Sequence, residues 1–373
     1  MNLGSLGAVT LTDILVGLSD IVFITYWLIT KKTFKFPSQI SYPFVLFLLW
    51  SLAGTILAAN FFSVGQIAVA LSFVVRFTAY FFMTIICYNT INKKSTLSWI
   101  NAILTVGFLF TIAGFFQFLI FPDLTFLVNF GWDPHKSRLV STLLDPNFSG
   151  GLITIFFSLA ISIFVFNKKL IYASAAAVFF IAIILTFSRS SYLAFLTATL
   201  VIGLAKSPKA LLISMLFFVF ATFSITQVRD RIVGALTFDE TAAARVKSWG
   251  TALQIFAKNP VFGVGFNTYR FAQAKYVDYN PINSQDDHSG AGSDSSILLV
   301  AATTGIFGII LYLGFLLSLF RIFLKNSRIN YLNLAATASF SALLVHSQFV
   351  NSLFFPQIML VLFILAGLSL KQK

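Results

Sequence analysis

The sequence predicts an all-α polytopic integral membrane protein, read as a single membrane domain over residues 1–373. Three observations predict it. Hydrophobic residues make up 58% of the chain and charged residues 10%, where soluble domains carry about a quarter charged residues. Apolar runs of about 18–25 residues recur along the chain, each long enough to cross the hydrocarbon of a bilayer. Lys and Arg gather at the ends of alternate runs rather than on one face. Mean hydropathy is +0.90. With 25 Lys plus Arg and 12 Asp plus Glu, the chain lacks the polar surface that a water-soluble body of this size needs. A soluble globular enzyme and a disordered chain are both excluded.

Eleven candidate spans follow, at about 11–30, 42–60, 65–89, 97–120, 148–166, 170–187, 190–205, 210–227, 296–320, 331–352 and 356–370. Lys31, Lys32 and Lys35 follow the first, Lys93 and Lys94 the third, and Lys168 and Lys169 the fifth. Lys206 and Lys209 follow the seventh, Arg321, Lys325 and Arg328 the ninth, and Lys371 and Lys373 the last. None of these six junctions holds an acidic residue. The positive-inside rule puts them in the cytoplasm, with the C-terminus inside and the N-terminus outside.

That distribution also answers the net charge of +13. A nucleic-acid binder clusters its cations on one soluble face, so no nucleic-acid partner is expected. Cys87 stands alone in an apolar run and can form no intrachain disulfide. The segment 1–10 has no basic n-region, so no cleaved signal peptide is expected.

The same rule places two long loops outside, 121–147 and 229–295, which hold ten of the twelve acidic residues. Connections longer than about 12–15 residues are usually functional or disordered. The second loop reads as partly helical. Thr237-Phe-Asp-Glu240 has capping-box spacing, Ala-rich sequence follows, and Asn259-Pro260 ends it. An amphipathic helix is therefore expected over about 238–258. Val246, Trp249, Leu253 and Phe256 form its apolar stripe, which would lie in the outer interface.

Several chemistries lack their motifs. There is no P-loop and no cysteine–histidine cluster with metal-ligand spacing. Gly263-Val-Gly265 lacks the third glycine and the preceding strand of a dinucleotide fingerprint. No Asp-x-Asp lies in the outer loops. No cofactor and no metal are expected, so any reaction must be driven by its substrate or by a gradient.

The candidate site residues are ionisable groups near the outer side. Arg189, in Thr186-Phe-Ser-Arg-Ser-Ser191, lies where a charge costs up to about 2.5–3.5 kcal/mol at a helix centre and less toward its end. It either snorkels to headgroups or clamps an anion, since guanidinium offers paired donors matched to phosphate. Arg245 either faces solvent, stacks on Trp249, or joins Arg189 on a diphosphate. The stretch Ser284–Ser296 gathers three carboxylates with His288. It is either a polar loop whose Ser293 or Asp294 caps the next span, or a source of a general base. Arg138, with His135 and Lys136, is either a substrate contact or juxtamembrane charge. Asp20 and Arg76 fall at similar depth in spans one and three, as a buried ion pair or part of an ion path. His346 reads as a hydrogen-bonded core histidine.

These segments resemble the O-antigen ligase and polymerase superfamily of bacterial envelope glycan enzymes. Leu185-Thr-Phe-Ser-Arg-Ser-Ser-Tyr192 is similar to its Thr-x-Ser-Arg segment. Arg245-x-x-x-Trp249 followed by Asn259-Pro-Val-Phe-Gly-Val-Gly-Phe266 is similar to its Arg, Trp and Pro-x-x-Gly-x-Gly pattern. Ser293–Gly308 resembles the start of the span after the large loop, and Leu144-Asp-Pro-Asn-Phe148 is a looser match. The resemblance covers about 140–310.

It implies a GT-C-like fold of about twelve spans, one more than read here, with a large, partly helical extracytoplasmic loop over a lateral cavity in the bacterial cytoplasmic membrane. It implies a glycan donor linked to a polyprenyl diphosphate, and an acceptor that is a glycan, a lipid, a wall polymer or a protein. No metal or nucleotide is implied, and polymerase and ligase share the motifs. Arg189 and Arg245 match the residues that hold the diphosphate. Arg138, Asn147 and Trp249 are further candidates for substrate binding. Many members carry a His where this chain has Asp294, so the base is either Asp294 or His288. The competing class is a transporter or flippase for a lipid-linked or amphipathic solute, with Asp20, Arg76 and His346 as coupling site. The two matching halves usual in transporters are missing. A membrane scaffold is the third reading.

Overall fold

The structure is a computed structural model that describes residues 9–130, 133–277 and 292–372. Helices stand at all eleven expected positions. They are α1 (Leu11–Thr30), α2 (Ser38–Leu57), α3 (Val64–Thr90), α4 (Thr96–Ile120), α5 (Pro146–Asn167), α6 (Leu170–Leu185), α7 (Arg189–Ala205), α8 (Pro208–Ser224), α12 (Ser296–Leu324), α13 (Tyr331–His346) and α14 (Pro356–Leu370). Between α8 and α12 lie α9 (Thr226–Leu236), α10 (Glu240–Lys258) and α11 (Tyr269–Tyr276). Among the described residues six helices are long and apolar enough to cross a membrane, seven if α8 and α9 count as one bent pair. The expected span 210–227 is cut short. The chain breaks at Ile225 and turns by 95° into α9.

Local sequence sets the helix starts. Asp145 caps α5, its Oδ1 accepting from the N–H groups of Asn147 and Phe148, and Pro146 fills the first turn where no N–H is needed. Ser188 caps α7 by accepting from the Ser191 N–H. The cap of α10 differs from the expected one: it is Asp239, accepting from the Ala242 N–H, while the Thr237 hydroxyl donates back to Val233. Asp239 is extended backbone and so able to cap. Thr237 still belongs to the end of α9.

Helix α5 is the most enclosed span. It packs on α6, α7 and α13, and α14 packs on α3. Without a hydrophobic drive in lipid, close backbone approach through small residues supplies the contact. Gly150 meets Ser191, where a Cβ would collide, and Gly151 lies under the His346 ring, where a Cβ would be a tight fit.

One junction fixes the region between α10 and α12. Gly305 breaks α12 at φ 69° and ψ −168°, a conformation essentially restricted to glycine. The segment after α10 fills the break. The Ile306 N–H donates to Pro260 O (2.8 Å), Val264 N–H to Ala302 O (3.2 Å) and Gly265 N–H to Thr303 O (2.9 Å). Trp50 Nε1 donates to Thr304 O at 2.9 Å. Backbone groups freed by the break are thus re-paired within protein, as apolar surroundings demand. A Cβ on Gly305 would overlap the Val261 carbonyl, and one on Gly263 the Thr303 backbone.

The buried face of α10 is not the stripe expected. Ala252 and Ile255 are buried against Val264, Tyr269, Leu299 and Ala302, while Val246 and Leu253 are 46% and 51% exposed. The helix therefore docks by the face that carries Ala252 and Ile255 and leaves part of its apolar stripe uncovered.

Candidate active site

A cavity of ≈ 520 Å³ opens between α3, the start of α5, α10, α11 and the start of α12. Three arginines line it: Arg76, Arg245 and Arg270. So do three aspartates: Asp133, Asp145 and Asp294. Its apolar wall includes Phe77, Phe148, Phe354 and Phe355, and the Phe148 ring is stacked on Phe355 at 4.0 Å. A mostly apolar hollow with a few convergent charges is the usual form of a ligand site.

Each charge is placed by a different element. Arg245 lies on the second turn of α10, its guanidinium 5.9 Å from the Phe349 ring centre. Burial lowers its pKa most; the Asp294 charge works the other way, and Arg189 lowers it further. Asp294 precedes α12, its N–H donating to Ser248 Oγ at 3.0 Å. The cap of α12 is Ser295, accepting from the Leu298 N–H, so neither Ser293 nor Asp294 serves as the cap. Asn147 follows the α5 cap and accepts a hydrogen bond from Ser188 Oγ at 2.7 Å. Burial raises the carboxyl of Asp145, against the two N–H groups that it accepts from.

Arg189 stands one bond behind the cavity rather than on its lining. Its Nη1 donates to Asp239 Oδ1 at 2.8 Å and its Nη2 to Oδ2. That guanidinium, by hydrogen bonding, holds the Asp239 carboxyl down to about 2. The first residue of α7 is thereby clamped to the cap of α10, six residues before Arg245.

Other expected residues divide. Arg138 turns away from the cavity: its Nε donates to Thr186 O (2.9 Å) and its Nη2 to Phe187 O (3.2 Å), closing the end of α6. Trp249 packs on Phe349 at 5.9 Å, and its Nε1 is buried without a partner among the described residues. His288 lies outside the described residues. The expected Asp20–Arg76 pair does not form. Arg76 Nη2 bonds Asp13 Oδ2 at 2.9 Å, and Asp20 Oδ1 is buried without a partner among the described residues. His346 is fully buried against Gly151, with the Asn147 backbone as its hydrogen-bonding neighbour.

Two features had no signal in the sequence that singled them out. Arg270, on the first turn of α11, lines the cavity and forms no ion pair among the described residues; burial lowers its pKa. Asp133, His135 and Asp145 each offer a ligand atom within 4.8 Å of the others, although no metal spacing was readable in the chain. The charges of Arg138 and Arg231 beside His135 help to push that imidazole down to about 4 after burial. The same charges oppose a bound cation.

The fold and the cavity define a multi-pass helical membrane protein with a charged, partly enclosed site. Residues 173–313 match the family model described as O-antigen ligase. That match covers less than half of the chain, and over this segment the chain resembles the O-antigen ligase and polymerase superfamily. The matched segment holds Arg189, Arg245, Arg270, Asp294 and the Gly263–Gly305 junction. No curated protein matches the chain.

Proposed function

We propose that the protein is a membrane glycosyltransferase of the polymerase or ligase type. It moves an oligosaccharide from a polyprenyl diphosphate to an acceptor hydroxyl on a glycan, a lipid, a wall polymer or a protein. The membrane is the bacterial cytoplasmic membrane, the site faces its extracytoplasmic side, and neither metal nor nucleotide takes part. The loops 121–147 and 229–295 lie on that side, with the uncovered Val246 and Leu253 of α10 directed at the interface. The observation that carries this reading is the placement of Arg245 and Asp294 on one cavity, from helices otherwise remote in sequence.

In this reading the acceptor hydroxyl attacks the anomeric carbon and a base takes its proton. Asp294 is the base within the described cavity, and His288 the alternative. The bond from that carbon to the diphosphate oxygen breaks as the new glycosidic bond forms, so a single displacement inverts the centre. Negative charge grows on the leaving diphosphate. Arg245 meets it directly, with Arg189 adding its field from behind Asp239, the kind of preorganised electrostatic help that dominates many enzymes. Arg270 supplies a third guanidinium, and Asn147 and Trp249 border the sugar. Purified protein given a lipid-linked oligosaccharide, without metal or nucleotide, should elongate or transfer it with inversion. No product under those conditions, with nucleotide- or gradient-dependent movement of the lipid instead, would overturn the reading.

A further inference from the structure

Arg76 lines the cavity from α3 and takes no part in the transfer chemistry. Its Nη2 donates to Asp13 Oδ2 on α1 at 2.9 Å, and the two side chains are only 17% and 14% exposed. Asp13 is gripped in turn. Its Oδ2 also accepts from the Thr10 N–H (2.7 Å) and hydroxyl (2.8 Å), and its Oδ1 from the Tyr80 hydroxyl (3.0 Å). Helix α1 is the least enclosed of the long apolar helices among the described residues. This knot of hydrogen bonds nevertheless fixes its N-terminal end against α3.

The arginines of the cavity therefore differ in kind. The charges that act most strongly on Arg245 are those of Asp294, Arg189, Asp239 and Asp145, and Arg270 forms no ion pair among the described residues. Arg76 is matched by a carboxylate that is not on the lining. Neutralising a guanidinium removes its pull on anions but keeps its planar fork of N–H donors. Around it the wall is aromatic. Arg76 lies over the Phe73 ring at 4.7 Å, and Phe77 stands 6.2 Å from Phe266 and 5.6 Å from Phe354. All four rings line the cavity. Ring faces beside fixed donors suit a neutral sugar, whose C–H side packs on the rings while its hydroxyls accept from the guanidinium.

We propose that Arg76 and the rings around it form a subsite for an uncharged sugar of the acceptor, with Asp13 as the positioning residue that holds Arg76 and cancels its charge. This rests on the transferase reading above. An inverting displacement needs nucleophile and leaving group on opposite sides of the anomeric carbon, so the acceptor belongs away from the cation that meets the diphosphate. That cation comes from α10, and the Arg76 wall comes from α3. The pair also sets selectivity. Without Asp13 the same wall would carry an uncompensated buried cation and select for an anion.

The test is photolabelling of the full-length protein in nanodiscs with a diazirine derivative of methyl β-glucoside and with the matching glucuronide, which differs by a carboxylate at C6. The neutral probe should label the α3 peptide that contains residues 73–77, in competition with unlabelled methyl glucoside and about tenfold above the acidic probe. Arg76→Gln should lower that label about tenfold. Asp13→Asn should reverse the preference toward the glucuronide, and Asp13→Glu should restore it, whereas a purely structural role for Asp13 would lower both labels together. Equal loss of both labels in Asp13→Asn would overturn the proposal. So would a wild-type preference for the glucuronide on this peptide, or no competed label there from either probe. The wild-type comparison stands whether or not Asp13→Asn folds. Labelling needs no turnover, so competed label on 73–77 without any transfer defeats the function reading alone. Transfer with a wild-type KM for the acceptor in Arg76→Gln defeats this inference alone.

Discussion

Arg189 and Asp239 form a two-pronged ion pair that joins the N-terminus of α7 to that of α10. The guanidinium side chain is 11% exposed and the carboxylate 33%. Asp239 has a second duty, since it also caps α10 through the Ala242 N–H at 3.1 Å. Arg245 follows on the same helix, so the pair fixes where that arginine meets the cavity.

Removing the clamp should loosen α10 before it disturbs the bundle. Arg189→Gln is expected to cost about 1.5–3 kcal/mol, the range for hydrogen bonds to charged groups. Thermal unfolding in detergent reads that cost, and faster amide exchange confined to α9 and α10 reads its location. Unchanged exchange in α10 would remove the clamp from the account.

The pair also sets a pH window. Asp239 titrates near 2 in the folded protein, below the usual carboxylate value of about 4. A carboxyl with a depressed folded pKa contributes stability that is fully present above its unfolded pKa and lost as pH falls through the folded one. Amide protection of α10 should hold steady from neutral pH to about 4 and fall between about 4 and 2. Asp239→Asn, which keeps a cap but loses the charge, should flatten that fall.

The break in α12 calls for glycine. Gly305→Ala forces a Cβ onto the Val261 carbonyl in a backbone region that other residues avoid. A loss of about 1–3 kcal/mol is expected from the strained backbone, together with proteolytic exposure of the segment 260–265. Gly17→Ala, which meets open space, is the control and should change neither.

Arg270 faces the cavity with no ion pair among the described residues, so it is available to a ligand. Arg270→Ala should raise the KM for a lipid-linked donor about tenfold while kcat falls less, the pattern of a group that binds substrate and transition state alike. Arg270→Lys should recover part of the affinity by restoring charge without the fork. Wild-type KM in the alanine variant would remove Arg270 from donor binding.

Much of this was readable in the chain because membrane helices are written in long apolar runs and because caps are local. Asp145-Pro146 announces the start of α5, and Asn259-Pro260 the end of α10. The turn between α8 and α9 was hidden, since Ile225 continues the apolar run while the backbone leaves it. The face of α10 was misread for a physical reason. In lipid an apolar side chain gains nothing special by being buried, so Ala252 and Ile255 pack inward while Leu253 stays outside. Arg76 meets Asp13 rather than Asp20 because depth counted along two sequences ignores how helices shift past one another, here by seven residues or about 10 Å. The arginine pair was legible as residue types and as a shared neighbourhood. That Arg189 is spent on Asp239, and that Arg270 faces the hollow, depend on the folded path alone.

The central claim is that Arg245 and Asp294 act on one donor in one cavity. The most direct measurement is kcat for inverting transfer from a purified lipid-linked oligosaccharide by Arg245→Ala and Asp294→Asn, each checked for intact folding. The account predicts that Arg245→Ala lowers kcat by about 10²–10³, the scale seen when one electrostatic donor is removed from a transition state. It predicts about 10²–10⁴ for Asp294→Asn if Asp294 is the base. Near-wild-type turnover in both variants would contradict it.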